Sequence, residues 1–147
     1  MFNNVQLTVG KLKGFSLPQY QILIDGILLN DRLNELTGSK EFDLLVPPLE
    51  LLDEKDQRET LRRLALYNTR MPLLVCPDDM DFSCIVVSAL VELQKDAVVW
   101  KDFAFGLTEL QYIHKPSFKF QKTEYEKFIK TFEDFAKTPF SQFYQDI

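Results

Sequence analysis

Hydrophobic and polar positions near the N-terminus alternate with the period of a β-strand. Every second residue of the segment 5–9 is apolar, which predicts a half-buried strand. The next apolar run, residues 20–29, is interrupted by Asp25 and Gly26. An Asp-Gly pair between two apolar segments is a strong signal for a β-hairpin. The N-terminal part of the chain is therefore predicted to be antiparallel sheet.

Two segments after the hairpin have the features of helices. Asn30 or Asp31 is placed to cap a short first helix, which Gly38 ends. Residues 53–67 form a second candidate, with acidic side chains early and basic side chains late. That distribution of charge complements the helix dipole, so a helix is predicted there.

The C-terminal region predicts a third, amphipathic helix. Thr123 and Glu126 match the S/T-x-x-E capping box that starts many helices. Aromatic residues then recur at helical spacing, which predicts one aromatic face packed on the rest of the protein. The residues of this face are Tyr125, Phe128, Phe132 and Phe135.

Three apolar segments in the second half of the chain predict strands, at residues 73–76, 84–93 and 97–103. Only three polar residues separate the last two, so these strands should form an antiparallel hairpin. The segment 104–122 is compatible with a strand or a short helix. Together these elements predict a single α+β domain over residues 1–147, an antiparallel-rich sheet with helices packed on it.

Composition narrows the class of protein. The chain of 147 residues carries a net charge of −5 and has a pI near 4.9, which argues against a nucleic-acid-binding protein and favours a basic partner. No apolar run approaches the roughly 20 residues that a membrane span needs. The N-terminus lacks the features of a signal peptide, and two cysteines do not form a disulfide framework. We therefore expect a cytoplasmic protein that does not bind membranes.

Few residues favour metal binding or catalysis. Cys76 and Cys84 are too widely spaced for a typical zinc pair, and His114 is the only histidine. Asp79, Asp81 and Ser83 lack the glycine and glutamate of a calcium loop. No nucleophile elbow, phosphate loop or zinc-protease motif is present. The sequence thus predicts no metal, no cofactor and no enzymatic activity.

The segment between the predicted strands 73–76 and 84–93 is acidic. It contains Asp78, Asp79 and Asp81, and no basic residue occurs between Arg70 and Lys95. Crowded carboxylates produce a negative field that can attract and hold a basic partner. A solvated turn, in which the side chain of Asp81 caps the backbone, explains the same sequence. Both interpretations remain open.

Aromatic residues offer two candidate anchors for a partner. Trp100 lies in a strand, where an aromatic side chain usually belongs to the core, although tryptophan is also favoured in interfaces. Tyr144 lies in an aromatic tail that follows the C-terminal helix. This tail either folds back or stays exposed as a contact patch.

Several short motifs occur in a defined order along residues 20–106. They are Ile24–Gly26, Pro72–Pro77, Asp81, Cys84 and Val98–Phe103. This order resembles a group of small, mostly uncharacterised bacterial proteins, in which a Val-Cys-Pro strand precedes a second cysteine and a strand pair closing with Trp-x-x-Phe. Some members have a further cysteine where this chain has Asp79, so the resemblance argues against a metal site here. It implies no specific activity.

In its general type, the chain also resembles immunity proteins of bacterial toxin–immunity systems, including contact-dependent inhibition. Such proteins are small, acidic, cytoplasmic α+β domains that cover a toxin, often a basic nuclease. The resemblance implies a protein partner and an acidic contact surface. The residues predicted to contact such a partner are Asp78, Asp79, Asp81, Glu92, Asp102 and, as an apolar anchor, Trp100 or Tyr144.

Two alternatives to an immunity protein stay open. One is a generic bacterial regulatory or scaffold domain without a toxin partner. The other is a small enzyme that uses Cys76 or Cys84 with His114, although apolar neighbours disfavour a thiolate at both cysteines. The sequence does not determine the oligomeric state.

Overall fold

The computed structural model describes residues 1–78 and 81–137, which fold into two antiparallel sheets and three helices. Apolar side chains from both sheets and all three helices meet in one main core. The predicted α+β fold class is therefore confirmed.

The first sheet contains the predicted N-terminal strand and hairpin. Its strands β1 (Val5–Gly10), β2 (Gln19–Ile24) and β3 (Ile27–Leu28) pair in sequence order. Asp25 and Gly26 join β2 to β3 with φ angles of 54° and 79°. Tight hairpin turns require such left-handed backbone, which Asp tolerates and Gly adopts at little cost. The hairpin prediction is confirmed.

The second sheet is built around a long central hairpin. Strand β5 (Val86–Gln94) lies between β4 (Thr69–Val75) and β6 (Ala97–Phe105), and all pairs are antiparallel. Two short strands, β7 (Gln111–Tyr112) and β8 (Phe118–Gln121), both pair with β6, one at each end. The ambiguous segment after β6 is therefore mainly loop with two short strands.

Three helices pack on the sheets. They are α1 (Leu29–Thr37), α2 (Glu54–Leu64) and α3 (Lys122–Lys137). Helix α1 contacts β2 and β3, α2 contacts β4, and α3 contacts β1, β6 and β8. Within the described ranges, no helix is both long enough and apolar enough to cross a bilayer.

The structure corrects two predicted helix starts. Helix α1 begins after Leu28 without a side-chain cap, so the prediction that Asn30 or Asp31 caps it is wrong. Asn30 is instead inside the helix and buried, because its amide bonds two backbone carbonyls. Helix α3 begins at Lys122, one residue before the predicted capping residue Thr123.

Helix α2 carries a compact charge cluster at its exposed side. Arg62 Nη2 and Arg63 Nε donate to the same Glu59 carboxylate oxygen, at 2.6 and 2.7 Å. These hydrogen bonds and positive charges lower the pKa of Glu59 from its usual 4.5 to about 2. A carboxyl whose pKa is lower in the folded state stabilises the fold above its unfolded pKa. This contribution is therefore lost as the pH falls from about 4.5 to about 2.

An NMR titration of the side-chain carboxyl carbons is expected to show Glu59 as one of the most acidic glutamates in the protein. The double variant Arg62→Gln/Arg63→Gln should return the pKa of Glu59 towards its ordinary value, because both donors and both charges are removed. The control variant Arg58→Gln removes an exposed arginine of the same helix that does not bond Glu59, so it should leave the pKa of Glu59 low. A Glu59 pKa above 4 in the unmutated protein would contradict the observed contacts.

Candidate functional site

The acidic segment is a loop at one end of the second sheet. It joins β4 to β5, and the backbone N–H of Cys76 donates to the carbonyl of Ile85 at 3.2 Å. Strand β4 is also held by paired backbone hydrogen bonds between Val75 and Val46. Both ends of the loop are thereby anchored to ordered backbone, which sets its position on the surface.

Asp81 shapes the second half of this loop. Its Oδ1 accepts hydrogen bonds from the backbone N–H of Ser83 at 2.9 Å and from the Ser83 hydroxyl at 2.5 Å. Both bonds stabilise the charged carboxylate and lower the pKa of Asp81. The side chain thus caps a turn, as the solvated-turn interpretation expects, and it remains negatively charged at neutral pH.

Helix α2 brings further carboxylates to the same loop. The backbone N–H of Phe82 donates to Asp56 Oδ2 at 3.1 Å, which ties the loop to the first turn of α2. Asp53, the N-cap of that helix, and Glu54 lie in the same turn. We call the five residues Asp53, Glu54, Asp56, Asp78 and Asp81 the acidic end of the protein.

The carboxylates of the acidic end are not neutralised by basic side chains. Within residues 1–78 and 81–137, no lysine or arginine forms an ion pair with any of the five. The side chain of Asp78 is exposed and makes no hydrogen bond to a described residue. The hydrogen bonds that Asp53, Asp56 and Asp81 accept come from neutral groups, so their negative charge persists.

An open groove lies beside these carboxylates. It has a volume of about 740 Å³ and is lined by Pro77 and Asp78 from the loop and by an apolar wall. The wall comprises Phe15, Leu49, Leu51 and Leu52. The Leu52 residue is 77% exposed, the largest such fraction among the described aliphatic residues other than the first methionine. Charge and exposed apolar surface therefore occur side by side.

Other predicted contact residues lie elsewhere. Glu92 lies on β5 and forms an ion pair with Lys101, with a distance of 2.6 Å between the charged atoms. It also accepts a hydrogen bond from Gln94, and both contacts lower the pKa of Glu92. Asp102 is exposed at an irregular point of β6, where its φ angle is 48°. Neither residue belongs to the acidic end. Because Lys101 pairs with Glu92, this carboxylate differs from the unpaired ones of the acidic end. Contact of Glu92 and Asp102 with a partner stays a prediction.

Trp100 does not reach the surface. Its exposed fraction is 0%, and its indole N–H donates to the Tyr125 hydroxyl at 3.1 Å inside the main core. A side chain without accessible surface cannot contact a partner directly, so Trp100 is a core residue and not an anchor. The predicted contact residues Asp79 and Tyr144 lie outside the described residues.

A metal site or a cysteine-dependent enzyme would depend on Cys76, Cys84 and His114. In the described part of the chain, no three Asp, Glu, His or Cys side chains are grouped so that they could bind a metal ion. Cys76 is half-buried at the end of β4 and Cys84 is exposed. His114 lines two clefts along β7, and neither cysteine lines either cleft.

Comparison with known proteins gives a uniform result. No protein-family model, curated protein or solved structure matches the chain. The short motifs noted in the sequence therefore remain a resemblance only.

Sequence reasoning missed part of the site. The sequence predicts that the carboxylates at the start of α2 complement the helix dipole, but it does not predict that they lie near the loop. Asp56 and Asp78 are 22 positions apart in sequence, and all other carboxylates of the two segments are further apart. A local signal existed only in the sign of the charges, since both segments are rich in acidic residues.

Proposed function

We propose that the protein is a binding protein that covers a cationic surface of another protein, and that this partner is a bacterial toxin domain. The observation that supports the proposal is the acidic end, whose five carboxylates have no ion pair in the described structure. One of them, Asp78, lines a groove with exposed apolar surface. An immunity protein with these properties would act by occlusion, without chemistry of its own.

Electrostatics would drive the encounter. Carboxylates that are not paired within the protein produce a field that attracts lysine- and arginine-rich surfaces and raises the association rate. A toxin that cleaves nucleic acid has such a surface, because it binds phosphates. The acidic end would then take the place of phosphate groups and prevent the substrate from binding.

The groove would supply the apolar centre of the contact. Stable interfaces combine a desolvated apolar core with a polar rim, and charge alone gives mainly rate and specificity. Leu52 projects from the groove wall, and Asp78 lies at the rim of the same groove. A partner with an apolar side chain flanked by basic residues would match both features.

Co-expression with the product of the adjacent reading frame tests the proposal. We expect a stoichiometric complex that survives purification and an inhibited activity of the partner. The Leu52→Glu variant should weaken the complex at least about tenfold, because it places a charge in the apolar centre and adds to the negative end. The substitution should leave stability nearly unchanged, since the side chain is exposed.

Leu66→Glu is the matched control. Leu66 is also an exposed leucine, but it lies beyond the C-terminal end of α2, about 16 Å along that 11-residue helix from the acidic end. The control should bind the partner normally. Equal binding by both variants would overturn the assignment of the groove, and a partner without any toxic activity would favour the regulatory or scaffold alternative.

A further inference from the structure

A second, more enclosed cavity lies next to the start of α1. It has a volume of about 500 Å³, within the range of small-molecule sites. Its walls come from the loop between β1 and β2 and from the segment after α1. Gly14 and Leu44 meet across it, with φ angles of 91° and 69°. The positive φ of Gly14 favours glycine, and a Cβ atom there would displace the end of the Leu44 side chain.

Asn30 places a hydrogen-bond acceptor at this cavity. The residue is 3% exposed, and its Nδ2 donates to the carbonyls of Phe42 and Leu45 at 2.6 and 2.9 Å. These two bonds occupy both amide hydrogens and fix the orientation of the side chain. Its Oδ1 accepts no hydrogen bond from any described residue. The oxygen is not one of the fully buried atoms that lack a partner, so it has some contact with solvent, and a bound donor can take the place of water there.

Charged side chains of both signs surround the same cavity. Lys11 and Lys13 line it from the β1–β2 loop, and Asp31 and Asp43 line it from α1 and the following segment. None of these four forms an ion pair with a residue of the described ranges. Opposite charges that line one cavity without pairing match a ligand that itself carries both charges.

We propose that this cavity binds a small zwitterion with an apolar body, namely an amino acid or a short peptide with free termini. The ammonium group would donate to Asn30 Oδ1 and face the two aspartates, while the carboxylate would face the two lysines. The apolar body would pack against three leucines of the wall, which are Leu12, Leu28 and Leu44. This site is separate from the acidic end and does not depend on the proposed partner.

Isothermal titration calorimetry with L-leucine and with the dipeptide Leu-Leu tests the proposal on the full chain. At least one of the two is expected to bind. The one with the higher affinity shows whether the site prefers an amino acid or a peptide. The probes 4-methylpentanoate and 3-methylbutylamine each lack one charge of leucine. Each should bind at least about tenfold more weakly, because one set of charge-assisted hydrogen bonds is lost.

Variants and NMR identify where the zwitterion binds. Lys13→Ala should weaken binding about tenfold, whereas Lys40→Ala, an exposed lysine that does not line the cavity, should not change it. Amide shifts caused by the bound zwitterion should be confined to the cavity wall, namely residues 11–14, 20–22, 28–31 and 42–45. The proposal is overturned if neither zwitterion binds, if the single-charge probes bind equally well, or if the amide shifts occur elsewhere. The cavity would then hold only water.

Discussion

Replacing Trp100 by alanine is expected to lower the free energy of unfolding by about 3–5 kcal/mol, a large part of the stability of a typical domain. The indole has no exposed surface and contacts the rings of Phe120, Tyr125 and Phe128 edge-on, with centroid distances of 5.1, 6.1 and 5.8 Å. Alanine would leave a cavity among these rings and remove the donor to the Tyr125 hydroxyl. Urea unfolding followed by far-UV circular dichroism measures the loss.

Tyr112→Ala is the matched aromatic control. Tyr112 is on β7, which also pairs with β6, but its side chain is exposed, and the Arg70 guanidinium lies over its ring at 5.8 Å. We expect a loss of about 1 kcal/mol or less. Similar losses for the two variants would contradict the placement of Trp100 in the core and would restore it as a candidate surface anchor.

Charge reversal at Asp78 is expected to have the largest effect on partner association. The variant Asp78→Lys should lower the association rate about tenfold at about 20 mM salt, because it changes the local charge by two units at the entrance to the groove. At about 0.5 M salt the difference should nearly disappear, since the screening length is then only a few ångströms. Stopped-flow mixing with the purified partner measures both rates. Asp78 makes no hydrogen bond to a described residue, so the fold should not change.

Asp96→Lys is the control for the charge reversal. Asp96 lies in the turn after β5, whose nine residues separate it from the acidic loop by on the order of 30 Å. It undergoes the same change of charge at the opposite end of the sheet. Equal slowing by the two variants would show that net charge alone controls association, and the acidic end would then have no special role.

Much of the fold could be predicted because the longer elements carry periodic patterns. The first strand, the Asp25-Gly26 hairpin and the aromatic face of α3 all depend on contacts within a few residues. Strands β7 and β8 could not be predicted in this way, since two and four residues are too short to show a period. Their existence depends on pairing with β6, which is a tertiary contact.

The candidate site was only partly predictable for a similar reason. Asp78 and Asp81 follow directly from the sequence of the loop. The pairing of Glu92 with Lys101 depends on register, because Lys101 is opposite Leu90 and reaches Glu92 diagonally across two strands. The contribution of α2 to the acidic end depends on one hydrogen bond between distant segments, Phe82 to Asp56. Local patterns do not determine either feature.

The acidic end rests on a second hydrophobic cluster, smaller than the main core. Its buried residues among those described are Leu12, Val46, Val75 and Val86, and Phe15, Leu51 and Phe82 pack around them. This region has fewer buried apolar side chains than the main core and is therefore less stable. It can open locally while the remaining structure stays folded. A surface of this kind can adjust its shape when a second molecule arrives, at the cost of the conformational entropy that the adjustment removes.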